Sequence, residues 1–152
     1  MSVIIRDGKF HQDDWMASGG SFHDFDAMPL RPHDFELDHL GIDVPNSIDP
    51  NSLSGFVGEV SAIRIPFPSF ADGRGFSIAR VVRRMGFTGL LRAHGHIICE
   101  QYPLAVRAGF DEIEISDELA RRQSEALWAD ALARINVTYL ERLQAGMASA
   151  AA

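Results

Sequence analysis

The sequence predicts an α/β domain built on a short parallel sheet, either part of a barrel or a small layered sheet. Two observations carry this prediction. Residues 60–115 alternate β-rich and helical segments in the order strand, helix, strand, helix, strand. Each of these helices ends near a glycine, Gly86 and then Gly109, that is followed by an apolar residue and a new strand. Parallel strands joined by right-handed helical crossovers are the expected arrangement of such a repeat.

The N-terminal region is expected to add a β-hairpin. An apolar run at 3–5 precedes Asp7-Gly8, a dipeptide typical of tight hairpin turns because both residues tolerate positive φ. Residues 16–31 show no regular period, which predicts a loop or a segment that lies over a partner subunit. A short strand within 37–44 and a short helix that begins at Asp49-Pro50 follow.

The central elements have clear limits in the sequence. The strands are predicted at 60–65, 90–94 and 112–115. Pro66 is expected to stop the first strand, and Ser77 to cap the helix that follows it. The segment 96–107 is predicted to be helical, with a kink or break near Gln101 because Pro103 lacks the amide that a helix interior needs.

Ser116 is expected to cap a final helix that has acidic residues in its first turn. The chain therefore divides into three parts of one domain. Residues 1–58 hold the hairpin, loops and short helix, 59–116 form the βαβαβ core, and 117–146 form the C-terminal helix. Three parallel strands leave two open edges, so we expect a homodimer that completes the sheet or packs the C-terminal helices together.

Composition excludes several classes of protein. Net charge is −7 and Lys9 is the one lysine, which argues against nucleic acid as the main partner. No stretch approaches ~18 apolar residues and the N-terminus lacks a signal-peptide pattern, so we expect a cytoplasmic protein without a membrane span. The single cysteine, Cys99, is expected to be a buried, inert thiol, and no spacing of Cys or His indicates a metal site.

The most distinctive stretch is Asp72-Gly73-Arg74-Gly75, between a predicted strand and a predicted helix. Glycine on both sides of Arg74 allows close approach of the backbone, and a helix N-terminus offers free amides to an anion. Guanidinium groups pair with oxyanions through two parallel hydrogen bonds. We therefore expect a small oxyanion, such as sulfate, sulfite or phosphate, to bind this loop. The predicted binding residues are Asp72, Gly73, Arg74, Gly75, Arg80, Arg92 and His94. Intramolecular salt bridges of Arg80 and Arg92 with Asp72 or Glu100 are an equally good interpretation of those arginines.

A series of motifs carries a resemblance to a known family. The motifs are Phe67–Ser77, Ala79-Arg80, Leu91–Gly95, Gln101 and Gly109–Asp111, together with the opening Ile4–Gly8 and Asp14-Trp15. Over roughly residues 3–115 the chain resembles the bacterial family catalogued as domain of unknown function 934. His96, where the family usually has Asp, and Pro103 depart from its pattern.

Members of that family are labelled as oxidoreductases of sulfite reduction and are associated with sulfite reductase. The resemblance therefore implies an accessory protein of sulfate or sulfite assimilation, with sulfite reductase or another enzyme of that pathway as partner. It supplies no catalytic residue.

Two enzymatic alternatives stay open. The first is a small oxidoreductase that uses a bound flavin or the redox centre of a partner, although the sequence has neither a GxGxxG fingerprint nor the cysteines of an iron–sulfur cluster. The second is an acid/base enzyme that uses Asp72 with His94 or His96, because histidine titrates near neutral pH.

Overall fold

The computed structural model describes residues 1–28 and 39–135. The strands are β1 (Ser2–Arg6), β2 (Lys9–His11), β3 (Ser21–Asp24), β4 (Leu40–Asp43), β5 (Ala62–Phe67), β6 (Leu90–Gly95) and β7 (Glu112–Ser116). The helices are α1 (Asp14–Ala17), α2 (Arg74–Arg84), α3 (Tyr102–Ala108), α4 (Asp117–Arg122) and α5 (described over 125–135). Single 3-10 turns lie at Phe25–Ala27, Pro50–Leu53 and Cys99–Gln101.

All of the described strands belong to one seven-stranded sheet with the order β2-β1-β7-β6-β5-β4-β3. Strands β3 to β7 are parallel and lie side by side in chain order, and β1 joins β7 in the antiparallel direction. Crossovers of one hand between strands in this order place α2 and α3 on the same face of the sheet, where they pack against each other. The α/β fold class predicted from the sequence is confirmed.

Alternation along the strands gives the sheet two different faces. Ile63, Ile65 and Phe67 of β5 are buried on the side of α2, and Arg64 and Pro66 point to the other side. The neighbouring strands repeat this pattern. We call the second side the polar face; it carries Asp43, Arg64, Pro66, Arg92, His94, Glu112 and Glu114.

An aromatic cluster joins the helices to the sheet. The ring of Phe67 lies 4.9 Å from that of Phe76 and 5.8 Å from that of Phe110, measured between centroids. Gly75 lies directly over Phe67, since a Cβ at Gly75 would come within 2.5 Å of the phenyl ring. The second glycine of the Asp-Gly-Arg-Gly block is thus required for close helix–strand packing.

The N-terminal hairpin has the predicted turn. Asp7 and Gly8 both have positive φ, 54° and 73°, as a two-residue hairpin turn of this kind requires. The Gly8 amide donates to the Tyr102 hydroxyl at 3.1 Å, and the Tyr102 ring packs against buried Trp128. The hairpin, α3 and α5 are therefore tied together.

Two predictions about the sheet are wrong. Residues 16–31 were expected to be a loop, but β3 lies there and pairs with β4. The sheet is also larger than three strands, because β1 covers one side of β7 and β4 covers one side of β5. The open edges from which a homodimer was inferred are therefore absent from this core, and the oligomeric state stays a prediction.

Pro66 does not stop its strand. The Arg64 carbonyl accepts a hydrogen bond from the Val44 amide, so the backbone of Arg64 bonds to β4. The backbone nitrogen of residue 66, two positions along, points to the same side, where β4 has already ended at Asp43. No ladder amide is needed at that position, and β5 continues to Phe67.

Helix limits also differ in two places. Gly73, not Ser77, is the N-cap of α2, so the helix begins at Arg74. The C-terminal helix is interrupted after Arg122, where the Gln123 side chain turns inward to the Cys99 amide at 2.6 Å. The predicted break near Gln101 is confirmed, because α3 begins at Tyr102 and Pro103 lies in its first turn.

None of the helices in the described ranges combines the length and the apolar character that crossing a bilayer requires.

Candidate functional site

The Asp72–Gly75 loop is held together by its own side chains. Asp72 Oδ2 accepts hydrogen bonds from Arg74 Nη2 at 2.7 Å and from Asn46 Nδ2 at 2.8 Å. Asp72 Oδ1 accepts from the Arg74 backbone amide at 3.2 Å. These contacts, led by the guanidinium of Arg74, lower the pKa of Asp72 to about 2.

Both the amide and the guanidinium of Arg74 therefore already face a carboxylate. The side chain is still 60% exposed and lies beside a pocket of about 290 Å³ lined by Asn46, Ser47, Ile48, Pro50, Arg74, Ser77 and Ile78. An anion bound here would compete with Asp72 for Arg74. Oxyanion binding at this loop stays a prediction.

The other predicted residues lie elsewhere. Arg80 is exposed on α2 beside Arg84 and Arg107. Arg92 is buried on the polar face, where its side chain is 1% exposed. His94 lies two residues further along β6 and lines a different cleft.

Arg92 is the centre of a buried group of ion pairs. Its Nε donates to Glu112 Oε1 at 2.8 Å, and its two terminal nitrogens donate to the Asp13 carboxylate, each at 2.8 Å. Glu114 Oε2 lies 3.2 Å from Nη1. Although burial opposes the charge, these carboxylates hold the pKa of Arg92 above its ordinary value. The expected internal salt bridge of Arg92 is thus present, but with partners other than Asp72 or Glu100.

The ion pairs continue across the neighbouring strands. Arg64 pairs with both carboxylate oxygens of Asp43, at 2.6 and 2.8 Å, and reaches Glu114 at 3.1 Å. The ring of Phe22, on β3, lies 4.3 Å below the Arg64 guanidinium and 5.3 Å from that of Arg92. The hydrogen-bonding groups of both arginines are used by the protein itself.

A cleft of about 550 Å³ lies at the carboxyl ends of the parallel strands. Its lining comprises Asp24, Phe25, Asp26, Ala27, Asp43, Val44, Pro45, Pro66 and His94. Asp24 and Asp43 are the last residues of β3 and β4, and Pro66 and His94 are one residue from the ends of β5 and β6. We call this the carboxyl-end cleft. Ligands in open parallel sheets are found at this end of the strands.

His94 lines the cleft with a partly buried imidazole. Burial lowers the pKa of His94 below its usual value, and the positive charge of Arg64 adds to this effect. The imidazole makes no hydrogen bond or ion pair with any residue in 1–28 or 39–135. A neutral imidazole whose nitrogens have no hydrogen-bond partner can accept a proton from a bound molecule through its unprotonated nitrogen.

The walls of the cleft are acidic. Asp24 and Asp26 are exposed, and neither carboxylate has a hydrogen bond or ion pair to another described residue. Asp43 is neutralised by Arg64. The net negative charge favours a neutral or cationic ligand over an oxyanion.

Sequence reasoning identified His94 but missed Asp24 and Asp43. Asp24 belongs to the segment interpreted as a loop, so its place at a strand end was hidden. Asp43 directly follows the apolar residues Leu40 and Ile42, and a carboxylate that ends a parallel strand was a usable signal.

His96, Cys99 and the metal-ligating residue types are weaker candidates for a functional site. His96 is exposed and does not line the cleft. Cys99 is buried as expected, and burial raises the pKa of its thiol. Within the described chain, no three His, Cys, Asp or Glu side chains lie close enough together to hold a metal ion.

Comparison with known proteins gives a family. No curated protein and no solved structure matches the chain. One family model, described as a bacterial protein of unknown function, matches residues 41–148. The match begins at residue 41, so the resemblance expected for residues 3–40 lies outside it. It continues beyond residue 115, where the resemblance was expected to end, so the C-terminal segment is part of the family pattern. Because the match covers more than half of the chain, this protein belongs to the bacterial DUF934 family.

Proposed function

We propose that the chain binds a small polar molecule in the carboxyl-end cleft and that His94 exchanges a proton with it. The observation that carries the proposal is the half-buried, neutral and unpartnered imidazole of His94 beside a cleft of about 550 Å³. The ligand is neutral or cationic, because Asp24 and Asp26 bring unbalanced negative charge. The acid/base alternative used Asp72 with His94 or His96. We retain His94 alone, because Asp72 is already bound by Arg74 and His96 does not line the cleft.

A fragment library with equal numbers of neutral, cationic and anionic compounds tests this proposal. Binding is followed by NMR through the ring resonances of His94. We expect hits that shift these resonances to be neutral or cationic. Binding of the same hits to His94→Asn, followed through the backbone amides of Asp24, Asp43 and Val44, should be lost. His96→Asn is the matched control and should keep them. Hits confined to anions, or hits that leave His94 unaffected, would contradict the proposal.

Oxyanion binding at Asp72–Gly75 is the second candidate. It is supported by the exposed guanidinium of Arg74 beside its own pocket. Sulfate or sulfite would have to displace Asp72, so Asp72→Asn should strengthen thermal stabilisation by these anions and Arg74→Ala should abolish it. Equal stabilisation of all three proteins would exclude this site.

We also propose the sulfur-assimilation context, with sulfite reductase as a partner, on the strength of the family resemblance alone. Native co-purification with sulfite reductase tests the accessory role. A flavin absorption band in the purified protein would favour the redox alternative, in which a bound cofactor or the partner's centre carries the electrons.

A further inference from the structure

Four arginines meet where α2 packs beside α3. They surround a pocket of about 420 Å³, on the side of the helices away from the polar face. Its lining consists of Arg80, Arg83, Arg84, Arg107, Ala108 and Gly109. We call it the arginine pocket. It shares no residue with the carboxyl-end cleft or with the Asp72–Gly75 loop.

Arg83 has a structural role in this pocket. Its Nε donates to the Gly109 carbonyl at 2.9 Å, and its Nη1 donates to the carbonyls of Phe87 and Gly89, both at 3.0 Å. Its Nη2 pairs with Asp111 at 2.8 Å. Arg83 thus fixes the wall between the helices and has its charge balanced.

Arg80, Arg84 and Arg107 are different. All three are exposed, and their guanidinium groups form no hydrogen bond or ion pair with another residue in the described part of the chain. Arg80 and Arg84 are four residues apart on one helix, a like-charge spacing that destabilises helices. Arg84 and Arg107 gain from the helix dipole in their last turns, but Arg80 lies too early in α2 to do so.

Three uncompensated positive charges therefore lie together in a chain whose net charge is −7. Their mutual repulsion would be relieved by a bound anion. A concave site of this size suits a small molecule, and guanidinium groups bind phosphate and sulfate oxygens in pairs. An extended nucleic acid would meet the negative charge of the rest of the surface.

We propose that the arginine pocket binds a small multivalent oxyanion of the phosphate, pyrophosphate or sulfate class. The site is separate from the proposed proton-transfer cleft, and its ligand is anionic, whereas the ligand of the cleft is neutral or cationic. Either proposal can fail without the other.

Inorganic pyrophosphate is the probe, with sodium chloride at matched ionic strength as reference. We expect pyrophosphate to raise the melting temperature beyond the chloride reference. Arg80→Gln and Arg107→Gln should each weaken the apparent affinity by about tenfold, and the triple variant with Arg84→Gln should lose binding. Circular dichroism of each variant verifies that the fold is retained.

Arg121→Gln is the matched control. Arg121 is an exposed arginine in the last turn of α4, so Arg121→Gln removes the same charge away from the pocket, together with a dipole interaction like that of Arg107. It should leave pyrophosphate binding unchanged. Stabilisation no greater than with chloride, or equal weakening by Arg121→Gln, would overturn the proposal. Binding that Arg74→Gln abolishes and the Arg80 and Arg107 variants keep would place the anion at the Asp72–Gly75 loop, and would also overturn it.

Discussion

At the scale of a single residue, the polar face shows how the position of a side chain along a strand determines whether it keeps its charge. Arg92 and His94 are two residues apart on β6 and point to the same side. Arg92 is fully buried and surrounded by carboxylates, so its charge is kept. His94 lies at the strand end, partly buried and without a carboxylate in contact, so its proton is lost more easily.

The lowered pKa of His94 makes stability depend on pH. As pH falls, the unfolded chain binds a proton first, at a pKa near 6.5, and the folded chain only at its lower pKa. Between these two values, the free energy of unfolding should decrease as pH falls, and outside them this contribution is constant. His94→Asn should remove that part of the slope in urea unfolding measured from about pH 8 to about pH 5. His96→Asn should keep it. Identical slopes in wild type and His94→Asn would contradict the assignment.

Replacement of Arg92 should be among the most damaging substitutions in the protein. Arg92→Leu leaves Glu112, which is 3% exposed, as a buried charge without its main partner. Breaking such a pair costs about 3–5 kcal/mol in the free energy of unfolding, measured by urea denaturation. Arg122→Leu, which breaks an exposed pair with Glu118, should cost little or nothing. A small loss for Arg92→Leu would contradict the stabilising role of this buried group of ion pairs.

The roles of single residues were only partly accessible from the sequence. His94 could be named because histidine after an apolar run indicates a strand end. The separation of Arg92 from Arg74 could not be foreseen, because a strand sequence does not say which face is covered by helices. Asp13, the bidentate partner of Arg92, lies 79 positions away in the chain, and nothing local connects the two.

At the scale of an element, two glycines end α2 and α3 in the same way. Gly86 and Gly109 both have left-handed φ, 96° and 109°. Their surroundings differ, because a Cβ at Gly86 would meet open space. At Gly109 it would come within 2.6 Å of Arg83 Cγ. Alanine at Gly86 would therefore introduce backbone strain alone, whereas alanine at Gly109 would add a steric contact with Arg83.

Gly86→Ala should destabilise the protein by about 1–2 kcal/mol, the cost of a left-handed alanine. Gly109→Ala should cost more, because it also displaces the Arg83 side chain from the carbonyls that it binds. The free energies of unfolding of both variants, obtained from the same denaturation series, give the difference directly. Equal losses would show that Arg83 moves aside freely and has no structural role.

The elements best predicted from the sequence are those with strong local signals. The unit β5-α2-β6-α3-β7 was predicted because glycines mark the ends of both helices and apolar periods mark each element. Strand β3 was missed because Ser21–Asp24 is short, contains one apolar residue and follows two glycines. It exists through pairing with β4 and the contact of Phe22 with Arg64, and both are tertiary.

At the scale of the whole molecule, the order of the strands determines which strands have backbone amides and carbonyls without a partner strand. Strand β6 lies between β5 and β7, whereas β2 and β3 each have one partner strand among the described residues. Edge strands are sites where a second chain can pair. The homodimer prediction, which lost its original basis in a three-stranded core, can therefore be tested at these two edges.

Native-state hydrogen exchange at two protein concentrations gives that test. Amides of β6 should exchange only through global unfolding, and those of β2 and β3 should exchange faster through local opening. If a second copy pairs with an edge, the outward amides of that strand should become better protected as the concentration rises, because dimerisation follows mass action. The amides of β6 serve as the internal reference, since their neighbours come from the same chain. Edge protection that stays constant between the two concentrations would rule out a reversible dimer formed through strand pairing, and would leave packing of the C-terminal helices as the route to self-association.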